Sequence, residues 1–389
     1  MGSAVKGQPT GAMPRSGVLC DRDLWAAIRR GWINATQPIT DGQVQPASLD
    51  LRLGAEAYQL RASFLPWAET VQTRLRQASL VDELVIDRIP LEAGATLQPG
   101  IVYIVPLVES LQLPDAIRGR CNPKSTTGRL DIFTRVIADR SDRFDEITPG
   151  YSGPLYVEVA PQSFPVRVQT GVSLSQMRLL TGSAAVSDTA LRKLYRSTPL
   201  LHDDDGRPLP IGEVRLHGGL GMSIDLSGRA ADGLIGYRAH PNPPVVDVSR
   251  IDFYDPGEFW EPIKRPNRDS FILEANRFYI LVSKERIRVP PGYAAEMVVY
   301  DAGAGEIRTH YAGFFDPGFG YGDGSVLGTK VVMEVRAREV PFLVYHGQTF
   351  FKVGFEKVGG LPDRVYGVGL ASSYQHQALT LSKQFRRPG

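Results

Sequence analysis

The sequence predicts a mainly β protein made of two tandem barrels or jelly rolls with a few short helices. Three observations carry this. First, a shift of 176 positions lays the chain on itself: Leu97 meets Leu273, Tyr103 meets Tyr279, Pro114 meets Pro290, Glu158 meets Glu334, Pro165 meets Pro341 and Gly171 meets Gly347. A shift of 175 also pairs Ser48-Leu49-Asp50-Leu51 with Ser223-Ile224-Asp225-Leu226. A copy of this length marks a duplicated domain. Second, apolar alternation is repeatedly broken by Gly and Pro, as in LQPGIVYIVPL and SFPVRVQTGVSLSQMRLL, which is the pattern of short strands. Third, 389 residues suit two domains of ordinary size.

The elements follow in order. Residues 1–17 are small, polar and punctuated by Gly and Pro, which predicts a disordered leader with no signal-peptide core. The first copy is assigned to 18–186. Asp23 is the expected N-cap of a short helix through about Ile33, with Leu24, Ala27 and Ile28 on its buried face. From Ser48 to Leu180 nearly everything reads as strand. Residues 187–210 are expected to be a helix, Asp188 to Tyr195, followed by the Asp- and Pro-rich linker His202 to Pro210. The second copy spans 211–358, with strands from Val214 to about Val358. Residues 359–389 lack periodicity and are rich in Gly, Ser and Gln, a candidate mobile arm.

Composition excludes several classes. Net charge is +2 with acids and bases interspersed, which is no footprint for nucleic acid or an anionic membrane. No apolar run is long enough to span a bilayer. Two cysteines, Cys20 and Cys121, make no disulfide framework and favour a reducing, cytoplasmic setting. The six histidines show no His-x-Glu or His-x-x-x-His and the cysteines no Cys-x-x-Cys, so no zinc site and no metal ligands are expected.

Four segments carry candidate chemistry. Lys124-Ser125-Thr126-Thr127-Gly128-Arg129 packs two cations, three hydroxyls and a glycine into six residues. Hydroxyls, bare N–H groups and a guanidinium fork suit a polyphosphate, though the same residues make an ordinary polar turn. Glu158 in LYVEVA and Glu334 in VVMEVR sit at one place in two apolar strands, either facing solvent or held for use. The turn from Ala312 through Asp316-Pro317-Gly318 to Gly322 is dense in Gly and aromatics. It reads either as a hairpin whose backbone approaches a flat ligand or as plain turn chemistry. In the tail, Tyr374, Gln377, Ser382 and Lys383 offer an aromatic, an amide, a hydroxyl and a cation to a bound anion. The bland reading is a disordered end.

Together these segments resemble the dCTP deaminase branch of the dUTPase-like superfamily. QPASLDLRLG resembles the strand near the start of those enzymes, and Lys124 to Arg129 their Arg-Ser-Ser-x-x-Arg phosphate motif, with lysine first. Ala138 stands where the family places a backbone contact to cytosine, and Glu158 where it has its catalytic glutamate. In the second copy Ala312, Asp316-Pro317-Gly318 and Glu334 resemble the nucleoside hairpin and its glutamate. The tail resembles the closing Lys-Tyr-x-x-Gln…Ser-Arg-x-Phe arm. The resemblance covers most of residues 20 to 385.

The departures are informative. Asp131 stands where the family usually has Gly. The second copy has Tyr300-Asp301-Ala302-Gly303-Ala304-Gly305 in place of the phosphate motif, and the first copy has Thr148 in place of the hairpin acid. The losses are complementary, which favours a composite site: phosphate groups from copy one, and hairpin, Glu334 and tail from copy two. The rival is a site within copy one, with Glu158 as base. The resemblance implies zinc-independent deamination of dCTP to dUTP and ammonia. Glu334 or Glu158 would be the base, with Ser125 and Arg129 assisting, and Mg²⁺ would enter with the triphosphate. It further implies a homo-oligomer and leaves dTTP as a possible regulator. A dUTP diphosphohydrolase, a bifunctional enzyme with Asp316 activating water, and a non-catalytic nucleotide-binding regulator stay open.

Overall fold

The computed structural model describes residues 13–80, 84–229, 231–298, 307–309, 313–337, 339–368, 374–375 and 377–387. Most of the predicted leader, the 300–305 segment, Ala312 and His376 therefore lie outside the described residues.

The chain is mainly β, and its duplication is visible in strand order. In copy one, a sheet runs Val85–Pro90, Glu56–Leu60, Val102–Gln112, Ser152–Pro161, Ile132–Ala138. In copy two, the matching sheet runs Trp260–Lys264, Leu234–Ala239, Phe278–Ile287, Thr329–Ala337, Ile307–Thr309. A second sheet in each copy centres on the strands Ser173–Thr181 and Thr349–Lys357. The two sheets of a copy pack face to face: Leu51, Met177 and Leu179 meet Val105, Val136 and Val157 in copy one. Met222, Ala295 and Val353 meet Leu281 and Met333 in copy two. Inward residues alternate along each strand, as a sandwich core requires.

Several elements depart from expectation. The first helix is Asp21–Arg29, with Cys20 rather than Asp23 as N-cap; Asp23 occupies the third position and bonds back to Cys20. It ends early because Gly31 takes φ +71°, and Ile33 begins a strand. The stretch read as continuous strand holds two helices, Val71–Leu80 and the single turn Ser125–Gly128. The helix after copy one is Asp188–Ser197, capped by Ser187 Oγ accepting from the Ala190 N–H. At the start of the expected linker, Leu201–His202 is a strand paired with Phe278–Ile287, and His202 is buried. Gly17–Val18, at the leader boundary, pairs with Ser173–Thr181.

The copies are stitched along a seam. Val246–Asp247 of copy two adds a parallel strand to Val166–Val168 of copy one. The described part of the tail is packed, not extended: Phe385 lies against Tyr254, Phe259 and Trp260, with ring centroids 5.2–6.3 Å apart, and Phe164 of copy one stacks on the last two. No helix among the described residues is long and apolar enough to cross a membrane.

Candidate active site

A cleft of about 350 Å³ opens at this seam. One wall comes from copy one. The strand Ile117–Pro123 delivers the chain into Lys124, whose N–H donates to Leu174 C=O; Thr127 and Gly128 N–H then donate to Lys124 C=O. The chain leaves this turn through Asp131 at φ +52°. Glycine is the usual residue in that left-handed region, and Asp is among the few others that tolerate it. Its carboxylate accepts from Ser163 Oγ at 2.6 Å and pairs with Arg336 of copy two, so the departure from Gly joins the copies.

The other wall comes from copy two. Glu334 lies mid-strand in Thr329–Ala337, opposite Ile280, and is 5 % exposed at the cleft. Its Oε1 stands 3.8 Å from Arg129 Nε. Burial pushes the Glu334 carboxyl up to about 7; Arg129 opposes that rise and Asp131 adds to it. Arg129 is itself buried. It donates to Thr380 C=O at 3.0 Å and Gln377 Oε1 at 2.6 Å, and lies over the Tyr374 ring at 3.9 Å. Among the described residues its Nε–H has no hydrogen-bond acceptor. An oriented donor and a carboxyl raised by burial thus face the same space.

The arm supplies the roof. Tyr374 and Thr126 share a hydroxyl hydrogen bond of 3.1 Å, and Ser382 Oγ donates to Thr126 C=O at 2.9 Å. Lys383 and Lys124 converge on Asp50, and Lys124 pairs with it directly. Burial, and then Lys124, pushes the Lys383 ammonium below its usual range. Burial raises the Asp50 carboxyl, against the pull of the two lysines. Two ammonium groups beside Ser125 and Thr126 make one end of the cleft cationic.

The hairpin makes the far wall with Phe314, Phe315 and Asp316. Gly318 sits at φ +97°, where an added Cβ would come within 2.8 Å of Tyr366 N, so only glycine fits. Asp316 is buried, which raises its carboxyl, while Arg178 and Ser48 hold it at 3.4 Å each.

Of the residues singled out by sequence, Lys124, Ser125, Thr126, Arg129, Asp316 and Glu334 line this cleft. Tyr374, Gln377 and Lys383 from the arm join them. Thr127, Gly128, Gly318 and Ser382 stand behind its wall as turn and arm supports. Two lie elsewhere. Glu158 accepts from Arg135 Nε at 3.0 Å and from Ser63 Oγ and is 1 % exposed; Val71 and Leu75 pack on the neighbouring Tyr156 and Ile104. Ala138 pairs with Leu155 and packs into the copy-one core. Ala312 lies outside the described residues.

Sequence reasoning missed Arg178. This copy-one side chain, fully buried, reaches into copy two. It bonds Ala295 C=O at 3.2 Å and Glu356 at 3.1 Å, and lies over the Phe314 ring at 4.0 Å. The signal was present: a charge inside the apolar run SLSQMRLL, where the shifted copy has Gly354.

Sheet order, internal duplication and a seam cleft define a duplicated protein of the dUTPase-like fold. Family models agree in detail. The N-terminal domain model of 2'-deoxycytidine 5'-triphosphate deaminase matches residues 15–183, and its C-terminal domain model matches 187–385. The chain belongs to the dCTP deaminase family, a family of enzymes. The crystal structure of 2'-deoxycytidine 5'-triphosphate deaminase from Agrobacterium tumefaciens is 42 % identical with TM-score 0.80, covering 88 % of this chain and 99 % of that one. A "dCTP deaminase, dUMP-forming" of Rhodococcus jostii (strain RHA1) is 32 % identical over 43 % of this chain and 82 % of its own length. A "dCTP deaminase" of Haemophilus ducreyi is 26 % identical over 43 % of this chain and 86 % of its own.

Proposed function

We propose that this chain deaminates dCTP at the composite cleft, with Glu334 as the base. The observation that carries this is Glu334 itself: a buried carboxylate near neutrality, facing a guanidinium from the other copy. A base titrating near working pH is suited to both take and return a proton.

The chemistry runs through one residue. Glu334 takes a proton from water as the oxygen bonds to C4 of cytosine, and the proton passes to N3. Glu334 then carries the proton of the new C4 hydroxyl to N4; the C4=O bond forms as the C4–N4 bond breaks and ammonia leaves, so dCTP plus water gives dUTP plus ammonia. Arg129 and Ser125 orient water and stabilise charge on the tetrahedral intermediate. Lys124, Lys383 and Thr126 hold the triphosphate, which brings Mg²⁺ as part of the substrate. The reaction as written uses no zinc. In this reading Glu158 is structural, since Arg135 and Ser63 already occupy its carboxylate.

A second reading has its own support. Asp316 lines the same cleft, and the relatives named dUMP-forming release a monophosphate. Here Asp316 would activate a second water toward the α-phosphorus, giving dUMP and pyrophosphate. Incubation with Mg²⁺ and dCTP, with ammonia and pyrophosphate assayed separately, tests both. Ammonia alone supports deamination to dUTP; matched pyrophosphate supports the two-step enzyme; neither product rejects both and leaves a nucleotide-binding regulator.

A further inference from the structure

We infer that the outer edge of the strand Phe342–Tyr345 is an interface with a second copy of this chain, paired antiparallel about a twofold axis at Leu343. The two halves of the molecule differ at this edge. In copy one, Val166–Val168 lies between Ala95–Leu97 and the copy-two strand Val246–Asp247. Copy two repeats the first pairing in the same register, Ile272 opposite Leu343 as Thr96 is opposite Arg167. Among the described residues, no strand covers the other edge.

The side chains follow the same contrast. Phe164 of copy one is 0 % exposed under Phe259 and Trp260, while Val340, its counterpart, is 60 % exposed. Arg167 faces Asp247 in copy one, whereas its counterpart Leu343 is 43 % exposed. Ile272 and Tyr345 are each 56 % exposed and share the Leu343 face by strand pairing and alternation. The opposite face is fixed in the core through Leu273 and Val344. An apolar group of this kind on an uncovered edge marks an interaction surface.

The free backbone groups specify the partner. In copy one, Pro165 and Arg167 C=O accept from Val246 and Val248 N–H. In the same register Pro341 C=O and both polar groups of Leu343 point outward. Tyr345 is already closed on Gln348, through both its N–H and its C=O. One residue offering a donor and an acceptor is satisfied by the same residue of a second copy, in a reciprocal pair of bonds. The pairing sets Leu343 against Leu343 and closes the edge, as a twofold contact does.

Sedimentation velocity on the full chain tests this. The expected result is a dimer whose dissociation constant rises by about 30-fold or more with L343K, the effect of a central interface residue. Ammonia release from dCTP should be unchanged, because Leu343 is not among the residues that line the cleft. Circular dichroism checks that L343K folds. As a second variant, L343C should give a disulfide-linked dimer under mild oxidation, since Cys20 and Cys121 are both buried. A wild type that is monomeric at concentrations on the order of 100 µM overturns the inference. So does an assembly whose mass L343K leaves unchanged, or an L343C that stays monomeric on oxidation.

Discussion

Arg129 and Glu334 come from different copies and face each other across the seam, Nε 3.8 Å from Oε1. Neither copy alone holds both groups, so the cleft depends on how the copies pack.

The first prediction separates the two glutamates. E334Q should lower kcat by about 10²- to 10⁴-fold, the range for a lost general base, while still binding dCTP. E158Q should keep turnover and instead lower the melting temperature, because Arg135 loses its partner. Steady-state ammonia release and calorimetric titration read the two effects. An E334Q enzyme at full rate rejects the assignment.

The pH profile is the second. A carboxyl raised to about 7 must lose its proton before it accepts one. kcat/KM should therefore fall about tenfold per unit below pH 7 and level off above it. A limb near 4.5, the ordinary glutamate value, would assign the base elsewhere.

The third concerns stability. Folded Glu334 holds its proton up to about 7, whereas unfolded glutamate releases it near 4.5. The folded state binds the extra proton between these values, so its stability falls as pH rises through that window. E334Q removes this penalty. Above pH 7 it should exceed the wild type by up to about 3 kcal/mol in urea melts. Equal midpoints at pH 8 would contradict the strained-carboxylate account.

Arg178 gives the fourth. R178M leaves Asp316 buried without its cation and Glu356 with Arg120 alone, and should cost about 3 kcal/mol of stability as well as raising KM. R178K should recover part of both. A change in kcat alone, with unaltered melting, would mean Arg178 does not position the hairpin.

R129A is the fifth. It removes the bonds to Thr380 and Gln377, so the arm should become a protease target while both sandwiches stay intact. Mass spectrometry of timed digests would show cleavage near 374–387. Digestion identical to wild type would place the arm's anchorage elsewhere.

Much of the fold was legible because the duplication repeats period-two strands and Gly/Pro turns at one offset. The Lys124–Arg129 turn, hairpin and Glu334 were legible as residue types, and the packing places Lys124, Arg129, Asp316 and Glu334 around one cleft. What escaped depended on tertiary packing. The Val71–Leu80 helix hid in a polar run whose apolar spacing, Val71 to Leu75, is one helical turn. Glu158 is held by Arg135 and Ser63, 23 and 95 residues away, and nothing in the Glu158 strand itself reveals that. Arg178 escaped because its partners lie 117 to 178 residues away.

The position of Phe385 has a consequence for biosynthesis. A ribosome makes residues 374–385 after both sandwiches have emerged, and domains generally fold as they appear. Yet Tyr374, Gln377 and Lys383 line the cleft, and Phe385 fills the aromatic seam. A nascent chain halted before them would present two folded units with a half-built pocket. On the composite-site reading, a chain halted at that point lacks Tyr374, Gln377 and Lys383 from its cleft and should release no ammonia from dCTP.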